Sequence, residues 1–426
     1  MPIETLKNIC ETKTINKGFG TTKIIKVKMK ILLLTDIPPT KSLTAGIFLE
    51  NMLRHLPEDS VVCYTVLNRQ LSPKVSDNLK GMPIMITPKP LEDWGVRKFG
   101  SSLLSFSMEL VISTLQIPKI VNDIVKFGRL HDVDRIWATL QGQTMIRLAL
   151  PVAKKLQIPL YSQVYDSPTW WMKANKVNSI ISRNVINIFG KTLRESRKCA
   201  LASWAMVDQY RLLYGTRGIP MVSCLDTDLA RQPAKEYSSK RDLIICMAGQ
   251  LYASAEWHVL LKALDNLDWK INDKLVKIRY MGEWLSIGGN KPRHIEYLGW
   301  RSPEEIIEIA STSDICYCPY WFDPDFELEA KSSFPSKLPL YFASGRPVLF
   351  HGPNYSSPAK FVQSHDAAYV CETLDSSMVK NKLIEIASDI YTYRRIAENA
   401  HKAFMENLTD LQMKQRVRDF LQVPIQ

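Results

Sequence analysis

The sequence predicts an α/β fold of two tandem domains, each a series of βαβ units. Three observations predict it. The length, 426 residues, suits two cores of roughly 200 residues each. Short apolar runs of strand type alternate with helical periods through both halves, and the alternation restarts after a polar break near Ala230-Arg231-Gln232-Pro233. Hydrophobic residues make up 46% and charged residues 23% of the chain, a globular balance with no disordered or collagen-like bias.

Residues 1–28 are polar, lysine-rich and without period, and read as a flexible extension or as a segment ahead of a start at Met29. The first domain, 29–232, opens with Lys30-Ile31-Leu32-Leu33-Leu34-Thr35-Asp36, a compact strand of parallel type. A loop and Gly46 follow, and then Ile47, Leu49, Met52, Leu53 and Leu56 mark a helix. Strands are expected over 61–67, 83–87, 135–140 and 159–165, with a helix over 145–156. An apolar helix is expected over 103–125. Core burial is the reading for it, because Pro118 interrupts it and few basic residues share its polar face; docking on a bilayer or on the partner domain is the alternative.

The second domain, 233–390, begins with the strand Asp242-Leu243-Ile244-Ile245-Cys246-Met247-Ala248-Gly249. A helix over 256–264, strands over 276–281 and 294–298, a helix over 303–310 and a strand over 315–319 continue the pattern. Ser302 and Glu305 form a capping box for the 303–310 helix. Next comes Ser336-Lys337-Leu338-Pro339, which predicts a helix of barely two turns capped by Ser336, with Pro339 tolerated in its first turn. Gly345 and Pro347 stop it before an apolar strand over 348–350. A free helix N-terminus carries about half a positive charge, so Ser336 and Lys337 could hold a diphosphate. An ordinary αβ connection with a solvated lysine reads equally well. Residues 391–426 are helical and are placed to cross back over the first domain.

Charge is uneven. Residues 1–232 hold 32 Lys and Arg against 18 Asp and Glu, a net +14, and the remainder is net −2. The excess suits an anionic surface or substrate, such as a phospholipid headgroup or a lipid-linked phosphate, or serves solubility alone. No basic run is interleaved with aromatics, which argues against a nucleic-acid partner. No apolar run reaches the ~18 residues of a membrane span, and no secretory leader is apparent, so the expected location is cytoplasmic, either fully or peripheral at the inner membrane face.

The eight cysteines contain no C-x-x-C pair and read as reduced core residues. Two acidic triplets, Asp226-Thr227-Asp228 and Asp323-Pro324-Asp325, could suggest a metal but read better as turns. Neither G-x-x-x-x-G-K-[ST] nor G-x-G-x-x-G occurs, against a P-loop ATPase or a dinucleotide enzyme. His351 is expected at the surface, with a place near a cleft as the alternative.

Four features taken together carry a resemblance: Gly249-Gln250-Leu251 closing a strand, Gly299 after a strand, Phe334-Pro335-Ser336-Lys337-Leu338, and Ala343-Ser344-Gly345-Arg346-Pro347-Val348. They resemble retaining glycosyltransferases of the GT-B fold, above all glycosyltransferase family four. The resemblance implies two Rossmann-like βαβ domains facing a cleft, a nucleotide-diphosphate sugar as donor, a sugar or lipid-linked acceptor, and neither metal nor cofactor. Ser336, Lys337 and Leu338 match the donor phosphate loop, and Gly249 and Gln250 the strand end facing the diphosphate. Gly299, Trp300 and Arg301 match the segment near the base, and Gly46 the glycine loop of the first domain. Such positions lie at the carboxyl ends of parallel strands, where open α/β sheets bind ligands.

The family's Arg and Lys after the first strand of the second domain are replaced by Gln250 and Ala255, and its glutamate pair by Ser332 and Leu340. Glu327 and Glu329 are candidates to replace the first glutamate, with solvated loop carboxylates as the plain alternative. Asp166, after a strand of the first domain, could orient an acceptor proton or cap the next helix. The function expected is transfer of a hexose, with retention, to a polysaccharide or glycolipid. A non-catalytic binding protein of the same fold and a nucleotide-sugar epimerase are the alternatives.

Overall fold

The computed structural model describes residues 29–79, 81–92, 102–284 and 293–423; the expected extension over 1–28 lies outside the described residues. Two parallel sheets organise them. The first runs in the order β3-β2-β1-β4-β5-β6-β7, from β1 (Ile31–Thr35), β2 (Val61–Leu67), β3 (Ile84–Pro88), β4 (Arg135–Thr139), β5 (Leu160–Val164), β6 (Lys198–Leu201) and β7 (Gly218–Pro220). The second runs β11-β10-β8-β12-β13-β14, from β8 (Asp242–Ala248), β10 (Lys274–Met281), β11 (Ile295–Tyr297), β12 (Ile315–Pro319), β13 (Val348–His351) and β14 (Tyr369–Cys371), with β9 (Lys270–Ile271) antiparallel on β10. Both orders reverse beside their first strand, which opens a crevice at the carboxyl ends.

The central strands β1, β5 and β12 are buried along their whole length, as strands covered on both faces must be. Helices cover both faces. Ile31 and Leu33 of β1 pack with Met413, Val417 and Phe420 of the helix Asp410–Leu421, so the end of the chain returns to the first domain. The Arg135 guanidinium fixes that return by donating to the Leu421 carbonyl at 2.7 Å.

The helix after Ser302 has the expected capping box: Ser302 Oγ accepts from the Glu305 amide at 3.2 Å, and Glu305 Oε2 from the Ser302 amide at 2.8 Å. Replacing Ser302 with alanine removes one of these bonds and is expected to lower stability by about 1 kcal/mol, read as a shift in the urea midpoint. Gly345 takes the left-handed φ of +72° that ends the helix Lys337–Ala343. A Cβ there would stand 2.3 Å from the Gln232 carbonyl oxygen, because residues 231–234 run across this helix end.

Several expectations are corrected. The single helix over 103–125 is two helices, Ser102–Val111 and Ile117–Leu130, joined by a π-helical turn at Ile112–Gln116. Pro118 lacks the N–H that would continue the ladder, and the extra residue of the π turn absorbs the break. Core burial holds for Ile112, Ile117, Ile120, Val121 and Ile124, whereas Leu103, Leu104, Leu110, Val111 and Leu115 face solvent.

His351 is buried, not at the surface. Its Nδ1 lies 2.7 Å from Tyr317 Oη and its Nε2 2.7 Å from the Thr373 carbonyl, and burial lowers its pKa. Helices Pro168–Ala174, Ser179–Glu195 and Trp204–Tyr214, with β6 and β7, complete the first domain and add to the elements that the sequence predicts.

Candidate active site

The run from β13 back to Phe334 sets one wall of the crevice. Leu338 and Tyr341 point into the core of the second domain, and Tyr341 Oη accepts from the Ala248 amide at 2.7 Å. That bond ties the helix Lys337–Ala343 to the carboxyl end of β8 and aims Lys337 at the loop that follows. The Lys337 ammonium donates to the Gln250 carbonyl at 3.4 Å and lies 4.7 Å above the Tyr252 ring. It is 6% exposed, and no carboxylate pairs with it among the described residues. Burial depresses its pKa to about 8, opposed by the Cys318 thiol. A buried ammonium with only a carbonyl and a ring face for company is costly unless an anion joins it.

Gly249 has φ +80°, and its carbonyl accepts from Tyr280 Oη at 3.1 Å. Its Cβ position stands 3.9 Å from Lys337 Cε, so the expected partners Gly249, Gln250 and Lys337 do meet.

Three donor-side expectations are corrected. Ser336 has helical φ and ψ and makes no capping bond; its side chain is exposed. Leu338 is fully buried in the core, and its amide already donates to the Pro335 carbonyl at 3.1 Å. With Pro339 next, few free amides remain, so the positive charge here is the Lys337 side chain and not a helix dipole. Gly46 lies in the first turn of the helix Thr44–Leu53, not in a loop; a Cβ on it would strike Thr40 Cγ2 at 2.3 Å and the Pro38 carbonyl at 2.8 Å. It lets that helix pack on its own lead-in.

Gly299, with φ +69°, Trp300 and Arg301 sit in an exposed loop after β11. The loop shares the carboxyl end with Gly249 but is displaced from it by the width of β10.

The opposite wall comes from the first domain. Asp166 follows β5, and Ser167, not Asp166, occupies the N-cap position of the helix Pro168–Ala174. That helix meets the second domain through Lys173 and Asp325 at 2.9 Å and through Trp170 and Phe326, with ring centroids 6.4 Å apart. The contact brings Asp166 to Glu329 of the helix Glu327–Ser332. Both Glu329 carboxylate oxygens are buried without a hydrogen-bond partner from another described residue. Its pKa is pushed up to about 7 by burial and by the Asp166 charge, with Lys173 opposing, and Asp166 is itself raised by burial. Glu327 is corrected: it lies exposed in an i,i+4 ion pair with Lys331 and faces solvent. Both acidic triplets form turns, with Asp226 accepting from the Asp228 amide and Asp323 from the Asp325 amide.

Solved structures share this architecture. HepE from Anabaena, solved with UDP and glucose, superposes with a TM-score of 0.61 at 16% identity, over 93% of this chain and 100% of that one. Sucrose-phosphate synthase from Thermosynechococcus elongatus gives 0.61 at 11% identity, over 93% and 100%. The lipopolysaccharide outer core galactosyltransferase WaaB gives 0.60 at 10% identity, over 92% and 99%. The chain has the GT-B fold. No protein-family model matches the sequence, and no match is found among curated proteins.

The GT-B crevice of this chain contains groups that sequence patterns did not single out. Asp36, directly after β1, lies 3.9 Å from the Lys89 ammonium; burial pushes its pKa up to about 6 although Lys89 opposes this. Lys89 also pairs with Glu92, whose Oε2 accepts from the Thr144 amide at 2.6 Å and from its hydroxyl at 2.7 Å. Gly142, at φ +77°, leaves the room, since a Cβ would stand 2.5 Å from Glu92 Oε1. Tyr165 Oη is buried beside Asp36 and Asp166 with no hydrogen-bond partner among the described residues. The available signal was positional: Asp36 and Tyr165 each follow directly on the carboxyl end of a parallel strand, β1 and β5, and the strand order reverses beside β1.

Proposed function

We propose that this protein transfers a hexose from a nucleotide-diphosphate sugar to a hydroxyl acceptor, with retention and without a metal. One observation carries the reading: among the described residues the buried Lys337 ammonium lacks a counter-ion at the carboxyl end of β8, across from the Asp166 and Glu329 carboxyls. A diphosphate supplies that counter-charge, and the growing negative charge of the departing nucleotide is what a preorganised cation stabilises best. In the transfer, the acceptor oxygen bonds to the anomeric carbon while the bond to the diphosphate breaks. The electron pair leaves on the phosphate oxygen, and the acceptor proton passes to it. Asp166 orients the acceptor hydroxyl, and Glu329, half-protonated near neutrality, hydrogen-bonds the sugar. Trp300 and Arg301 lie on the side of the nucleoside.

One GT-B neighbour supports the donor class by its own ligands: HepE has been solved with UDP, with UDP and glucose, and with UDP-glucose. The acceptor is a polysaccharide or a lipid-linked sugar, handled in the cytoplasm at the inner membrane face.

A second reading rests on Gln250, Ala255 and Leu340, which stand where the family carries Arg, Lys and Glu. It makes the protein a nucleotide-sugar binding module without transfer. Thermal-shift screening against UDP, GDP and ADP sugars tests the donor site: one nucleotide at a hundredfold excess over its Kd contributes about 2.7 kcal/mol of stabilisation. No shift with any of them ends both readings. With a binding nucleotide in hand, slow release of nucleoside diphosphate marks a transferase, its absence a binding module, and an altered sugar without acceptor an epimerase.

A further inference from the structure

The helix Ser102–Val111 and the π turn after it carry their hydrophobicity on the wrong side for a globular protein. Leu103, Leu104, Leu110, Val111 and Leu115 are 76%, 53%, 54%, 49% and 68% exposed. Their spacing puts them on one stripe, with exposed Ser107, Thr114 and Pro118 filling the intervening positions. Residues 102–116 contain one charged side chain, Glu109, and it is turned inward to pair with Arg147 at 2.8 Å. An apolar stripe of this length on a surface marks a contact with something apolar.

The charges around the stripe say what that is. The next helix, Ile117–Leu130, exposes Lys119, Lys126 and Arg129 on its outer face, and Arg69 lines a cavity under the stripe. That cavity, 290 Å³, is walled mainly by Pro90, Leu91, Met108, Val111 and Ile112, with Ser107 and Gln116 as its other polar members. Leucines followed by cations along one outer surface match acyl chains below anionic headgroups.

We infer that the exposed face of residues 103–119 is the surface by which this protein lies on an anionic bilayer. Pro90 and Leu91 stand between Lys89 and Glu92, so the apolar cavity adjoins the first-domain wall of the crevice. A bilayer at the stripe therefore delivers a lipid-linked acceptor to Asp36 and Asp166. That last consequence rests on the proposed transferase reading; the docking surface does not.

Co-sedimentation of the full chain with vesicles of equal parts phosphatidylcholine and phosphatidylglycerol tests it, with pure phosphatidylcholine as the comparison. The protein is expected to pellet with the anionic vesicles and to release as salt rises. The double substitution Leu110→Glu/Leu115→Glu is expected to weaken this at least about tenfold, from the loss of two buried leucines, while leaving the melting temperature and nucleotide-induced shift unchanged. Equal binding by the variant, or no pelleting at low salt, overturns the assignment. So does a wild-type dimer in solution that the variant converts to monomer, which would make a second copy the occupant. Donor binding is read separately in the same samples, so failure of the docking surface and failure of the transferase reading give different results.

Discussion

Lys337→Met is expected to weaken binding of UDP, or of whichever nucleoside diphosphate the protein selects, by roughly 1.5–3 kcal/mol, the worth of a charge-assisted contact. The same substitution is expected to stabilise the ligand-free protein. The two signs follow from one fact: the ammonium is buried beside a carbonyl and a ring, with no carboxylate paired to it among the described residues. An apolar side chain of similar length removes the desolvation penalty in the free state and the attraction in the bound state. The pH dependence checks the mechanism. Burial lowers the Lys337 pKa from 10.5 to about 8, so the folded chain holds fewer protons than the unfolded one between those values. Its contribution to stability therefore rises with pH across that window and is flat below it, and the methionine variant loses the rise. Nucleotide binding runs the other way. It needs the cation, and should fall about tenfold between pH 7 and pH 9 in the wild type and stay level in the variant. Calorimetric titration at both pH values reads it; equal affinity of wild type and variant at pH 7 would remove Lys337 from the donor site.

Glu329→Gln is expected to stabilise the protein at pH 8 by roughly 1–3 kcal/mol and to change little at pH 5. Burial and the facing Asp166 raise the Glu329 pKa from 4.5 to about 7, with neither oxygen partnered by another described residue. A carboxyl raised on folding holds its proton longer than in the unfolded chain. It therefore destabilises the fold progressively as pH rises above 4.5, fully so above about 7. Glutamine keeps the shape and cannot ionise. Transfer by the variant should fall by 10²-fold or more at its optimum if the carboxyl contacts sugar or acceptor, a loss of about 2.7 kcal/mol in transition-state stabilisation. Denaturation midpoints at the two pH values separate the roles: equal stability shifts at pH 5 and pH 8 would mean the carboxyl is not buried as described.

Part of the site was legible because its residues are local in the chain. Gly249, Gln250 and the Ser336–Leu338 run stand at strand and helix ends that periodicity and the capping and glycine signals locate and that the family resemblance marks as donor positions, and the bond from Ala248 to Tyr341 brings them together. The roles within that run were not legible. A capping serine and a first-turn leucine look the same in sequence whether they face a ligand or the core, and here Ser336 does not cap while Leu338 is buried. Glu327 and Glu329 are two residues apart on one short helix, so one points to solvent as the other enters the crevice.

By itself the sequence determined the alternation of strands and helices, the break between the two sheets and the capping box at Ser302, since each depends on neighbours a few residues away. Tertiary structure alone decided which charges meet. Asp166 and Glu329 are 163 positions apart, and Lys337 reaches back 87 to the Gln250 carbonyl. It also decided that the leucines of the helix Ser102–Val111 face outward. Desolvation and charge pairing depend on what packs against a side chain from elsewhere in the chain, and hydrophobic periodicity shows that a face is apolar without showing what covers it.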